Sequence, residues 1–493
     1  FEGGGGVQRG ESYQAVADIA GGTRLLKYSA GMGGSSSRGI YELPHDTKTL
    51  DGSLRLDLTP AERWSVTGNL RGVLMESNLP VRDPGATRVP LDPNARNERG
   101  RVVGSIDARF APSPRWTQQL RATQYREDFL YEDSLDNVAA QVMTPYFVFD
   151  ANFMQDSERR RTMFEYGGSY DARDAASGTG FAFSYGVQTE KEEVTDTTDG
   201  DFGASRQKLA RSSRAAFGEV FITPMRRLDV MVGARAEKFE DLDTELTPRV
   251  SAVFDAVPGV LSVRAAAGRA YKAPNLQEQY LDNPFIRSNP DLTPETSQSW
   301  ELGADAQIAD GRLAVSVTYF QQEFDNLIRA VQIEGSTQQM NRNLGKSEAQ
   351  GIEWYLHYRS SPHWGVGIDG AWIATEIVDN AGFDPLQFPQ GKALPFRPSV
   401  VASGFIEVTP VGRLTAIARG TFIGSQTVLT ERFGGNRVAL DSYFLAGLTA
   451  AFAATPRVEL YTRIDNLFDT EYTTAFDRHG IPLTAALGLR LRN

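Results

Sequence analysis

Three carboxylates stand close together in DTTDGDFG, where Asp196, Asp199 and Asp201 could offer oxygen ligands to a calcium ion. The twelve-residue EF-hand pattern with its closing Glu is absent, so a solvated acidic loop is the competing reading. Other chemistry finds less support. His45, His357, His363 and His479 fall in separate segments with no HxxxH or HExxH spacing, which argues against a histidine-built zinc site. GGSSSRG from Gly33 lacks both GxSxG and a following helix, and GGGG from Gly3 has no GK[ST] beside it. Neither a nucleophile elbow nor a phosphate loop is indicated, and the chain is not expected to be an enzyme.

Aromatic and basic residues carry a stronger binding signal. MTPYFVFDANF sets Tyr146, Phe147, Phe149 and Phe153 in the largest connection, where exposed rings call for a ligand or a covering partner. RAYKAPNLQEQYLDNPFIRSNPDLTPETSQSWELG contributes Tyr280, Phe285 and Arg287, and ERFGG contributes Arg432 and Phe433. Such groups can stack on a macrocycle or aromatic chelator and pair with its carboxylates; mutual packing of the loops explains them equally well. ERRR at 158–161 could meet lipopolysaccharide phosphates or an anionic ligand, with solvated charge as the default.

The elements that would hold these residues are strands. No apolar run is long enough for a transmembrane helix, and mean hydropathy is −0.35, yet barrel strands average out as polar because they alternate. In LAVSVTYF, Leu313, Val315, Val317 and Tyr319 share one face and Ala314, Ser316 and Thr318 the other. LRLDL from Leu54, LDVMVGARA from Leu228 and LTAALGLRLR from Leu483 repeat the pattern. With 47 Gly, no Cys and a net charge of −11 without a long basic run, a disulfide framework is excluded and nucleic acid is not an expected partner.

Alternation alone also fits a soluble sandwich, and the connections decide between the two. Short turns (after Ala20, Leu58, Phe110, at 175–178, after Ile222, Ala256, Ile308, Ser360, Val408 and Ala453) alternate with long ones. The long set spans 33–48, 77–98, 131–158, 195–212, 272–295, 334–346, 377–396, 425–440 and 466–480, and only 241–244 breaks the rule by being short. This rhythm predicts an all-β, antiparallel transmembrane barrel of about 22 strands, with tight periplasmic turns and large extracellular loops. Leu313, Val315, Val317 and Leu487 are expected to face lipid, and Ser316, Arg490 and Arg492 the lumen.

GRAYKAPNLQEQY, NPDLTPETSQSWELG, LAVSVTYFQQEFDNLI, NLGKSEAQGIEWYL and IDNLFDTEYTT, in this order, resemble the second half of the barrel in TonB-dependent outer-membrane receptors, with the vitamin B12 receptor and small siderophore receptors nearest in length. The resemblance is strong from about Leu261 onward. It implies an outer-membrane import receptor with lipid and lipopolysaccharide around it and a large, scarce ligand at its mouth. A ferric siderophore is the first expectation, cobalamin the alternative, and a passive diffusion channel the non-transporter alternative. Calcium in the extracellular loops is the one cofactor implied. The family's N-terminal plug and TonB-engaging segment are expected to lie outside 1–493, removed or supplied by another chain. Barrels of this class commonly end on an aromatic residue, so Asn493 sets the expectation of a residue or two beyond it.

Overall fold

The structure is a computed structural model that describes residues 2–7, 11–39, 46–79, 94–135, 152–174, 178–336, 338–429, 436–475 and 478–491. Along the chain, period-two segments separated by turn residues form hairpin after hairpin, and the hairpins join into one sheet of 23 strands. One of these, Ile286–Arg287, has two residues and pairs parallel with Gln339–Met340, which leaves 22 antiparallel strands for the wall. Glu2–Val7 pairs with Glu11–Gly22 on one side and Thr484–Leu491 on the other, so the sheet closes on itself. Closure removes the unpaired edges that hydrocarbon cannot solvate.

Register assigns the two faces. Val317 lies opposite Ala304 and Trp354, while Thr318 lies opposite Gly303 and Glu353. The Arg264 guanidinium reaches across to Thr318 and pairs with Asp305 at 3.3 Å, which identifies the polar, inner side. Ser316 belongs to it, as does Arg490, which pairs with Glu459 at 2.5 Å. Val317 and Leu487 point the other way, 46% and 71% exposed. The facings expected for Val317, Leu487, Ser316 and Arg490 hold; Arg492 lies outside the described residues.

Two-residue turns at 62–63, 114–115, 226–227, 362–363, 412–413 and 456–457 mark one rim. Trp64, Trp116 and Trp364 each open the strand that leaves such a turn. Trp64 stacks on Phe110 at 4.5 Å, and Trp116 meets Tyr170 at 5.4 Å. Trp300 and Tyr319, 5.3 Å apart, sit farther up the outer wall. Aromatic rings at both edges of an apolar band are the interfacial girdles of a membrane barrel.

The strands run well past the roughly 10 residues a membrane crossing needs. Gly180–Gly200 and Ser205–Met225 have 21 residues each, and Gln339–Ser361 has 23. Two connections expected to be long are therefore short: 195–212 reduces to a turn at 201–204, and 334–346 to residues 333–338. Above the membrane neither face is apolar, so period-two hydrophobicity disappears while the ladder continues. Gly351 marks a close approach between neighbouring strands. The Phe320 ring of the neighbouring strand covers it, and an added Cβ would stand 2.7 Å from that ring and 2.3 Å from the Trp372 carbonyl oxygen.

Candidate functional site

The connection between Leu261–Lys272 and Glu295–Ile308 is an ordered strap. Asn275 starts its helix, Leu276–Tyr280, through a capping box: Asn275 Oδ1 accepts from the Glu278 amide at 2.7 Å, and Glu278 Oε2 accepts from the Asn275 amide at 2.8 Å. The Asn283 side chain then accepts from the amides of Phe285 and Ile286, turning the chain before Pro290 and Pro294 keep it out of the ladder. Leu276, Leu281 and Leu292 are buried beneath it.

Both flanks of the strap are tied to the wall. On one side Arg211 Nη1 donates to the Pro274 carbonyl at 2.8 Å, Arg159 Nη2 to Gln277 Oε1 at 2.7 Å, and Gln277 Nε2 to Asp196 Oδ2 at 3.3 Å. The Tyr280 hydroxyl donates to Asp241 Oδ2 at 2.8 Å. On the other, Asn341 Nδ2 donates to the Glu278 carbonyl at 2.9 Å and Asn343 Nδ2 to the Thr293 carbonyl at 3.0 Å. Arg161, Glu192 and Arg211 lie opposite one another in register on the inward side of their strands, and Arg159 and Asp196 share that side. The strap therefore crosses the inner face of the wall at its extracellular end and narrows the mouth.

Charge is concentrated under the strap. Glu192 lies 3.6 Å from Arg159 Nε, 3.7 Å from Arg161 and 3.9 Å from Arg211, and Arg211 also stands 3.8 Å from Asp241 and 4.7 Å from the centre of the Phe239 ring. Arg211 is 5% exposed, so its charge depends on these partners. Burial and the hydrogen bond to Asp241 push the Tyr280 phenol up to about 12.

The structure redistributes the residues singled out in the sequence. Tyr146, Phe147, Phe149, Arg432 and Phe433 lie outside the described residues. Phe153 begins a strand, and Phe285 sits edge-on between Phe153, at 5.2 Å, and Phe202, at 5.1 Å. Phe285 and Tyr280 thus serve the packing of the strap. Arg287 stays exposed, and register groups it with two residues that the sequence did not single out: Arg329 and Arg342 lie directly opposite each other, and Arg287 pairs with Met340 on the same side, away from the strap-bound Asn341 and Asn343. Arg342 stands 6.0 Å over the Phe383 ring. Only strand pairing makes this triplet, so spacing along the chain carries no signal for it. Asp196 points inward, Asp199 lies on the opposite side of the same strand, and Asp201 accepts from the Asn152 amide at 2.9 Å. Among the described residues, no group of three or more His, Cys, Asp or Glu could hold a metal, so the three aspartates do not form a calcium cluster. ERRR splits likewise: Arg159 and Arg161 face inward and Arg160 outward.

Residues 29–467 match the family described as TonB dependent receptor-like, beta-barrel. The chain belongs to this family. As a TonB-dependent receptor barrel it is an outer-membrane protein. It is 24% identical over 296 residues to the vitamin B12 transporter BtuB of Vibrio cholerae, covering 60% of this chain and 44% of that protein. With the iron-regulated outer membrane virulence protein of Vibrio cholerae it shares 23% identity over 309 residues, 59% of this chain and 46% of the relative. The chain spans about half the length of the curated relatives it matches. The siderophore receptor PirA from Acinetobacter baumannii has the same fold, with a TM-score of 0.79 at 14% identity over 99% of this chain and 79% of that one.

Proposed function

We propose that the chain is the barrel of a TonB-dependent importer for a ferric siderophore, with energy reaching it through a plug carried outside these residues. The family match over 29–467 carries this reading. The 23% identity to the iron-regulated outer membrane virulence protein favours an iron-linked ligand. Cobalamin is the second reading, favoured by the 24% identity to the vitamin B12 transporter.

Accumulation of iron-55 on catecholate and hydroxamate siderophores, beside cobalt-57 cobalamin, tests the choice in cells carrying the full-length receptor with and without TonB. Iron accumulation lost with TonB is expected. Entry that is indifferent to TonB would make the protein a diffusion channel.

A further inference from the structure

We propose that the outer wall carries a seat for one phosphorylated glycolipid of the lipid A type, built by Arg214 and Lys238 above an apolar groove. The two cations lie directly opposite each other on Ser205–Met225 and Leu228–Phe239, and both are exposed on the outward side. Like charges placed this way are destabilising unless something neutralises them. No ion pair among the described residues does. The Arg214 side chain makes no hydrogen bond or ion pair among the described residues, and Lys238 Nζ donates only to the Leu242 carbonyl. Of the carboxylates around them, Glu240 is held on the Ser212 amide at 3.1 Å and pairs with neither cation among the described residues, and Glu193 pairs with Lys191 at 2.7 Å. Farther round the same face, Arg126 and Arg160 share Glu158, at 3.4 and 2.5 Å, and Arg126 also meets Asp128 at 2.9 Å. The cationic excess is therefore local to Arg214 and Lys238.

Directly below them the register aligns Leu120, Tyr166, Val187, Ala216, Ala236 and Leu246 across consecutive strands. The two alanines leave a trough between the larger side chains, a cavity of about 610 Å³ that Phe164 borders at the level of the cations. Arg214 and Lys238 end the apolar runs Ala216–Ile222 and Leu228–Ala236, which places them at the extracellular edge of the hydrocarbon band. An occupant needs anionic groups at that height and acyl chains beneath. A phosphorylated lipid has both, and free phosphate has only the first.

Native mass spectrometry of the full-length receptor, purified with diphosphoryl hexa-acyl lipid A and washed stepwise in detergent, tests the seat. One lipid retained through the washes is expected, with retention reduced at least tenfold for the same lipid after enzymatic dephosphorylation. The variant R214Q/K238Q should lose retention equally, whereas R126Q/R160Q should keep it. A216W, which fills the trough below intact cations, should lose the lipid too, and gel migration before and after heating reports whether each barrel has assembled. Equal retention of the dephosphorylated lipid by the wild type would overturn the proposal without recourse to any variant, as would full retention by an assembled R214Q/K238Q.

Discussion

Arg211 is the residue on which the strap most depends. Replacing it with Met removes the hydrogen bond to Pro274 and leaves Glu192 and Asp241 facing less positive charge, which should cost about 3–5 kcal/mol locally. Amide exchange should accelerate across 274–292 while the barrel keeps its heat-modifiable migration; unchanged protection there would mean that the remaining tethers, through Gln277, Tyr280, Asn341 and Asn343, suffice to hold the strap. Asp196→Asn provides the contrast, because its partners Gln155 and Gln277 are amide donors that a neutral carbonyl satisfies equally well, so strap exchange should not rise. Tyr280 adds a pH test. Its folded pKa, about 12, lies above the ordinary value near 10, so its contribution is complete below about pH 10 and lost as pH rises through 12. The absorbance difference at 295 nm between wild type and Tyr280→Phe should titrate near 12; a midpoint near 10 would refute the buried contact with Asp241. At this scale the sequence announced Arg287 as a charged loop residue, but not Arg211, Asn341 or Asn343, which lie in strands whose inward and outward sides only the register distinguishes.

Elements were most legible where membrane and lumen impose opposite polarities on alternate residues. Leu228 to Ala236 reads as a strand because every second side chain meets lipid. Beyond the hydrocarbon the rule lapses, and DTTDG at 196–200, which reads as a loop, continues a ladder whose inward side lies under the strap. The length of the connection 272–295 announced the strap in the sequence, while its helix and its inward path depend on partners far away along the chain. Gly351 makes an element-scale prediction. Valine there would collide with the Trp372 carbonyl and the Phe320 ring, destabilising the wall by about 1–3 kcal/mol and lowering the temperature at which heat-modifiable migration is lost. An unshifted temperature would show that the ring moves aside freely.

For the whole molecule, the alternation of turn lengths disclosed the barrel and its strand number, because the two sides of a membrane tolerate loops so differently. The strap on the inner face gives a functional prediction at this scale. Replacing 276–292 with a short Gly-Ser turn should leave the barrel closed and raise its single-channel conductance in planar bilayers; unchanged conductance would place the strap outside the ion path. The pairing of Glu2–Val7 with Thr484–Leu491 bears on how such a wall comes into being. Every other strand of the wall meets only its chain neighbours, so the sheet can grow by hairpins with little loop entropy to overcome at each step, and one distant contact remains for the end. Until the first and last strands of the wall meet, both margins of a long sheet stay unsatisfied, and hydrocarbon offers them no substitute. Insertion is thereby tied to a single late event, and a nascent wall short of that event needs a surrogate edge to shelter it.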